Sequence, residues 1–351
     1  QQQRRRAHGN EPHPTQRRVG AQHPGTIRMA WTSGTANNAV DLFNKLITFL
    51  TSDATLVAGG EAWTLLRRDS FTSDVKRDLA ELRGPGSSAG DAIYVQLCLF
   101  ADAAAPAYSL RVLGSQSWQS SIPIINPESQ PGSLQTGAGS LGILPRMPIF
   151  NSAVSYWFVA NGRRFIVVAK SSAYWGALYA GFCLPYGTPS QYPYPLFVGA
   201  NTSRGDSYQS SDLDIANSAF WRNDGEYGSY SAAILQPSGG WVGTNRFDAT
   251  YTGRTWPWAM SLETRKNSAG RYDMGNLTQL PNGASPLLPA ILYNCTSNMP
   301  FSIWGELQGV LAVPGFGVAA GDTVTVAGKS HLVVQAATST NAARFAAIQL
   351  N

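Results

Sequence analysis

The pair Asn161-Gly162 separates two apolar runs, and it constrains the fold more than any other feature of the chain. The flanking runs, Val154–Ala160 and Arg163–Ala169, are rich in Tyr, Trp, Phe, Val and Ile, which favour strands. Asn and Gly both tolerate positive φ, so a two-residue type I′ turn fits between such runs. The sequence therefore predicts a β-hairpin here, and the run Tyr174–Leu184 predicts a further strand.

One amphipathic helix is predicted near the N-terminus, over Ala39–Leu50. Its apolar residues recur at helical spacing, and Thr35 or Asn37 could cap its first turn. Farther along, the apolar period becomes two. Strands are expected at Asp91–Phe100, Tyr108–Gly114, Ala290–Tyr293, Ile303–Val313, Thr323–Ala327, His331–Gln335 and Arg344–Leu350. Val75–Leu82 fits a helix or a strand.

These patterns predict a mainly β protein. We expect an antiparallel sandwich or barrel-like core with one N-terminal helix and long aromatic-rich loops. The expected division is an arm or extension at 1–28, a helical segment at 29–60, a main β domain at 61–290, and a C-terminal β segment at 291–351 that packs on it.

Two long segments, 118–148 and 201–286, are rich in Gly, Pro, Ser and Asn and are expected to lack regular structure. The Pro-Tyr repeat at 191–195 should form an extended surface segment, because proline lacks the N–H that a sheet interior needs. Exposed Tyr and Trp often dominate contact energy at interfaces. The predicted contact residues are Tyr192, Tyr194, Trp221, Trp241, Trp256 and Trp258. The alternative is that these aromatic side chains fold back into the core.

The net charge of +5 is carried entirely by residues 1–28, and the rest of the chain is electroneutral. Two interpretations of this tail remain open. It could be a basic arm that binds nucleic acid through Arg4, Arg5, Arg6, Arg17 and Arg18. It could instead be an extension translated from a start upstream of Met29. The neutral body offers no general attraction for nucleic acid.

No catalytic motif survives inspection, so we expect a protein that is not an enzyme and uses no cofactor or metal. Gly328-Lys329-Ser330 resembles the end of a phosphate-binding loop, but the glycine required upstream is Thr323, and a strand follows. His331 is the one histidine outside the tail, which leaves little material for a histidine triad or a multi-histidine metal site. The odd cysteine count argues against a disulfide framework, and Cys98, Cys183 and Cys295 are expected to be small buried side chains.

Several segments resemble a family of tailed-bacteriophage virion structural proteins. The resembling segments are Met29–Ala36, Ala62–Arg67, Gly90–Val95, Tyr156–Lys170, Pro185–Leu196, Gly309-Val310 with Pro314-Gly315, and Phe345–Leu350. The segments around Asn161-Gly162 and the Pro-Tyr repeat are the ones most specific to this family, because the other segments are short. Members of this family typically begin near the position of Met29, which favours the upstream-start interpretation of residues 1–28.

The resemblance implies a non-enzymatic component of a phage virion. We expect a structural component of the tail or baseplate region that is assembled in the bacterial cytoplasm and acts through contacts with copies of itself and other virion proteins. The first alternative is an icosahedral jelly-roll coat protein with an arginine-rich arm that binds nucleic acid. The second is a tail-tip protein that binds a host surface glycan. No apolar span long enough for a membrane helix is present, so membrane insertion is not expected.

Overall fold

The structure, a computed structural model, describes residues 29–71, 76–86, 91–101, 107–134, 145–201, 232–243, 254–256, 287–295, 301–313, 317–335 and 345–351. Within these residues the protein is mainly β with an N-terminal helical segment, and every strand pairing is antiparallel. The predicted fold class is confirmed. Three sheets stack as layers, and we name them the N-terminal, central and C-terminal sheets.

The central sheet has the order β1-β7-β8-β9-β11-β12-β13. Its strands are β1 (Ala30–Ala36), β7 (Val154–Asn161), β8 (Arg164–Ser171), β9 (Tyr174–Phe182), β11 (Leu196–Gly199), β12 (Ala232–Leu235) and β13 (Trp241–Gly243). The N-terminal sheet has the order β2-β3-β4-β5-β6. Its strands are β2 (Thr64–Phe71), β3 (Lys76–Gly84), β4 (Ile93–Ala101), β5 (Ala107–Ser115) and β6 (Arg146–Phe150).

The C-terminal sheet has the order β14-β15-β16-β19-β18-β17, with a short strand β10 beside β16. Its strands are β10 (Leu184–Pro185), β14 (Arg254–Trp256), β15 (Leu288–Cys295), β16 (Phe301–Val313), β17 (Thr323–Val326), β18 (Lys329–Gln335) and β19 (Phe345–Gln349). Strands β12, β13 and β14 lie in the segment 201–286, so the expectation of irregular structure throughout that segment is wrong.

The helical segment consists of α1 (Ala39–Ser52) and α2 (Ala54–Gly59). The cap of α1 is Asn38, whose side chain accepts a hydrogen bond from the Asp41 N–H at 2.9 Å. Neither predicted cap residue has this role, and Thr35 cannot, because it is still part of β1. The apolar face of α1 is buried as predicted, against the same core as the N-terminal sheet.

The central sheet is buried on both faces. Along β8, Phe165 and Val167 face the core shared with the N-terminal sheet, whereas Ile166 and Val168 face the core shared with the C-terminal sheet. A strand covered on both sides reads as a continuous apolar run rather than an alternating one. Only 13% of the residues in the chain are charged, and this double coverage accounts for part of that low share.

The hairpin at Asn161-Gly162 is present, but its turn is not of the predicted type. Asn161 pairs with Arg164, so the loop residues are Gly162 and Arg163, and Gly162 is not among the residues with positive φ. The Asn161 side chain closes the turn by accepting hydrogen bonds from the N–H groups of Arg163 and Arg164 at 2.8 and 3.0 Å. This is an Asx turn. Glycine is required because a Cβ on Gly162 would lie 2.6 Å from Pro85 Cγ.

A buried carboxylate ties an irregular segment to the N-terminal sheet. Glu81 on β3 is 1% exposed and forms an ion pair with Arg67 at 2.7 Å. Its carboxylate also accepts hydrogen bonds from Trp118 Nε1 at 2.8 Å and from Gln130 Nε2 at 3.2 Å. Arg67 extends the network by donating to the Ile122 carbonyl at 2.7 Å. Residues 118–130 contain one short 3₁₀ helix, Pro127–Ser129, and this charge cluster holds the segment against the N-terminal sheet.

Candidate functional site

Three of the predicted contact residues have described side chains, and all three are directed into the protein. Tyr192 is 4% exposed and Trp241 is 6% exposed, and Tyr194 is half-buried. Their polar atoms bond to backbone carbonyls: Tyr192 Oη to Leu235, Trp241 Nε1 to Gly132 at 3.0 Å, and Tyr194 Oη to Ala92 at 2.7 Å.

The expectation that Tyr192 and Trp241 are exposed is therefore wrong. Each ring gains more by filling the core, where its polar atom also finds an acceptor, than it would in water. The alternative, that these aromatic side chains fold back into the core, holds for them. Trp221 and Trp258 lie outside the described residues, and Trp256 is described only through its backbone, in β14. Residues 1–28, including Arg4, Arg5, Arg6, Arg17 and Arg18, also lie outside the described residues.

The described residues do contain a cavity of about 330 Å³ between the central and C-terminal sheets. We name it the Arg164 pocket. One wall comes from the central sheet and the residue before it, through Met29, Asn161 and Arg164. The opposite wall comes from residues 306–311 of β16, and Lys329, His331 and Gln349 complete it. Leu184 and Pro289 add apolar surface.

A bulge in β16 shapes the second wall. Leu311 pairs with Pro289 and Glu306 pairs with Ile291, so four residues of β16 stand opposite one residue of β15. Gly309 within the bulge has a φ of 75°, which favours glycine. A Cβ at Gly309 would lie 2.8 Å from Arg164 Nη2, so glycine lets the backbone of the bulge approach the guanidinium closely. Bulges of this kind occur frequently next to functional sites.

Side chains of the central sheet hold the bulge in position. The Gln308 N–H donates to Tyr179 Oη at 3.3 Å, and Asn161 Nδ2 donates to the Gln308 side-chain oxygen at 3.2 Å. Tyr179 is fully buried, and burial raises its pKa above the ordinary value. Its hydroxyl therefore remains protonated and donates to the Phe182 carbonyl at 2.8 Å. The pocket wall is thus fixed by bonds that cross between two sheets.

Arg164 is the unusual group in this pocket. Its side chain has no exposed surface. Nη1 has one long hydrogen bond, 3.4 Å, to the Val159 carbonyl, and Nη2 lies 3.1 Å from the Met29 sulfur, which is a weak acceptor. Within the part of the chain that the structure describes, Nε has no hydrogen-bond partner. Among the described residues no carboxylate forms an ion pair with Arg164.

Burial lowers the pKa of Arg164 to about 10 because desolvation disfavours the charged form, and the Tyr179 hydroxyl offsets this only in part. The guanidinium still carries its charge at neutral pH. A buried cation without an anionic partner is costly, since desolvation is not offset by Coulomb attraction. Such groups are therefore candidates for functional sites.

Sequence reasoning did not identify Arg164, although a signal was present. Arg164, Ile166 and Val168 alternate along β8, and the last two are core residues. The alternation of side chains in a strand therefore places an arginine on a buried face. The prediction placed Arg164 in the strand run Arg163–Ala169 but did not ask which face of the strand its side chain occupies.

The remaining titratable groups offer no metal site. No cluster of His, Cys, Asp or Glu suited to a metal ion occurs in the portion of the chain that is described. Cys98 and Cys183 are buried, as expected. Within the same portion, none of the helices has the length and apolarity needed to cross a bilayer.

Strand β1 forms an edge of the central sheet. It pairs with β7 along seven residues, and among the described strands it has no partner on its other side. Trp31 in this strand is 44% exposed, and Ser33 and Thr35 are exposed as well. None of the seven residues is charged. An uncharged edge strand offers unpaired N–H and C=O groups to another chain.

The edge of the N-terminal sheet differs. Strand β2 carries Arg67, Arg68 and Asp69, and charged side chains discourage edge-to-edge pairing. Exposure alone does not distinguish the two strands, since Leu65 in β2 is 37% exposed.

Comparison with known proteins returned no match, either to a family model or to a curated protein.

Proposed function

We propose that this protein is a structural component of a bacteriophage virion, in the tail or baseplate region, and that it acts through contacts between subunits. The observation that supports this proposal is the uncharged edge strand β1 with its exposed Trp31. A subunit that adds a strand to this edge would gain a row of main-chain hydrogen bonds, and the indole would supply buried contact area. Met29–Ala36, which contains β1, is also one of the segments that carry the resemblance to phage virion proteins.

The first experiment tests the contact. Ser33 is exposed on β1, so Ser33→Lys places a charge on the edge with little effect on the core. We expect the purified parent protein to self-associate in sedimentation velocity and the variant to be monomeric at the same concentration. Leu65→Lys on β2 is the matched control, because β2 is already charged, and it should associate as the parent does. Association of Ser33→Lys equal to that of the parent would contradict the role of β1.

The second experiment tests the location. An antibody against the C-terminus, applied to intact phage particles and imaged by electron microscopy, should label the tail or baseplate. Label confined to the head would favour the coat-protein alternative instead.

The charge of residues 1–28 is what favours that coat-protein alternative. Deletion of residues 1–28 distinguishes the tail proposal from the coat-protein alternative. If the protein is a coat protein, particles built from the shortened chain should lack packaged nucleic acid. If it is a tail component, normal particles should still form.

A further inference from the structure

We infer that the Arg164 pocket is a binding site for a carboxylate, in which the guanidinium supplies the ionic contact and the pocket walls hold the apolar part of the ligand. This inference does not depend on the proposed virion role.

The N–H donors of Arg164 lack good acceptors among the described residues. A guanidinium presents a planar fork of N–H donors that matches the two oxygens of a carboxylate. Among the described residues, the guanidinium has one long hydrogen bond to the Val159 carbonyl and one contact with the Met29 thioether, and Nε has no partner. A carboxylate would satisfy these donors and neutralise a charge that is otherwise buried at a cost.

The pocket also provides space for a ligand. The cavity of about 330 Å³ is lined by Arg164 and extends along the bulge of β16. Gly309 lets the backbone of the bulge lie close against Nη2, where a Cβ would clash at 2.8 Å. Bonds from Tyr179 and Asn161 fix the bulge. The cavity and the position of the guanidinium in its wall are therefore set by the fold.

The charged side chains around the pocket determine which ligand charge fits. Arg164 is the cation buried in the wall, whereas Lys329 is exposed at the rim. Glu306 also lines the pocket, although its carboxylate bonds outward to Tyr186 Oη at 2.7 Å. The Glu306 carboxylate would repel a dianion such as phosphate more strongly than a monoanion, so a monoanion fits better. Leu184, Pro289 and Val310 line the same cavity, which favours an organic carboxylate over a small inorganic anion.

Met29 controls access to the site. Its sulfur covers Nη2, and Arg164 has no exposed surface, so a ligand must displace the Met29 side chain to reach the guanidinium. Met29 is itself half-buried and directly precedes β1, so its side chain can move without unpairing the strand. Met29→Ala should therefore bind a carboxylate more tightly than the parent.

The test is calorimetric titration of the full chain with benzoate, and with benzamide as the uncharged isostere. We expect saturable binding of benzoate and at least about tenfold weaker binding of benzamide, which lacks the ionic hydrogen bonds. Arg164→Met should lose benzoate binding, while Lys329→Met should retain it. Gly309→Ala keeps the arginine, but its Cβ would displace the guanidinium, so it should also bind weakly and provides a second variant if Arg164→Met does not fold.

A sedimentation measurement with and without benzoate distinguishes two sources of the carboxylate. If a second copy of the chain donates it, benzoate will dissociate the oligomer, and if the ligand is a free small molecule, the oligomer will persist. Either result, together with binding that requires Arg164, supports the inference. Equal binding of benzoate and benzamide, no saturable binding, or unchanged binding by Arg164→Met would overturn it. The Ser33→Lys variant tests β1 alone, so failure of one proposal leaves the other intact.

Discussion

Arg67 and Arg164 are both largely withdrawn from water, but only Arg67 meets a carboxylate among the described residues. Arg67 is 26% exposed and bonds to Glu81 through two nitrogens, at 2.7 and 2.8 Å. Arg164 is fully buried and has no such partner. Arg67 contributes to the fold, because the cluster that it forms with Glu81 fixes residues 118–130 on the N-terminal sheet. The other charge costs stability with little structural return, which is expected of a group retained to bind a ligand.

The largest effect is expected from removing the Glu81 carboxylate, which pairs with Arg67. Glu81→Ala should lower the free energy of unfolding by about 3–5 kcal/mol, because Arg67 loses its carboxylate partner and Trp118 and Gln130 each lose one hydrogen bond. Urea denaturation measures this change. Glu128, a half-buried carboxylate that follows in the same segment, is the control, and Glu128→Ala should have little effect. A loss below about 1 kcal/mol would mean that the cluster is not structural.

Removal of the unpaired charge is expected to act in the opposite direction. Arg164→Met replaces the guanidinium with a flexible apolar side chain, so stability should be unchanged or rise by up to about 4 kcal/mol. The same urea experiment applies. A decrease of more than about 1 kcal/mol would show that Arg164 is a structural residue and would remove the contrast with Arg67.

A smaller loss is expected where the pocket wall needs glycine. Gly309→Ala should cost about 1–2 kcal/mol, because alanine is strained at a φ of 75° and its Cβ would lie 2.8 Å from Arg164 Nη2. If the close contact contributes, Arg164→Met should relieve part of this cost in the double variant. Gly328→Ala is the control for backbone strain alone, since nothing lies within 4 Å of its Cβ position.

The smallest effect concerns pH. Burial lowers the pKa of His331, at the pocket wall, below its ordinary value of 6.5. The folded protein therefore binds a proton less readily than the unfolded chain. The stability tied to the neutral imidazole is present above pH 6.5 and is lost as the pH falls through the folded-state value. His331→Gln should reduce the loss of stability between about pH 6.5 and 5, measured as the urea midpoint at each pH. An unchanged slope would contradict the shift.

Local patterns were sufficient to predict the helix and most of the strands. The apolar face of α1 and the alternating runs of the C-terminal sheet depend on residues that are close in sequence. The turn Ala327-Gly328 also has the conformation that a short hairpin loop favours, with φ of 50° and 79°.

Features that depend on distant residues could not be predicted in this way. The turn at Gly162 is determined by Glu61, whose carboxylate accepts the Gly162 N–H, and by Pro85, which crowds it. Strand β12 follows a polar segment and is defined by its pairing with β11. The burial of Trp241 and Tyr192 depends on carbonyls that no local pattern identifies.

The Arg164 pocket also depends on residues that are distant in sequence. Its walls come from segments as far apart in sequence as Met29 and Gln349, and the bulge of β16 is visible only in the pairing with β15. The strand period alone could place Arg164 on a buried face, but it could not show that the described residues of the opposite sheet provide no carboxylate partner.

The most direct test of the contrast between the two arginines is a crystal structure of the protein with para-bromobenzoate, in which anomalous scattering locates the bromine. We predict that the bromine lies in the Arg164 pocket, that the carboxylate lies within hydrogen-bonding distance of the Arg164 nitrogens, and that Met29 has moved from Nη2. A pocket without bromine, or a carboxylate held by other residues while Arg164 stays covered by Met29, would contradict the account.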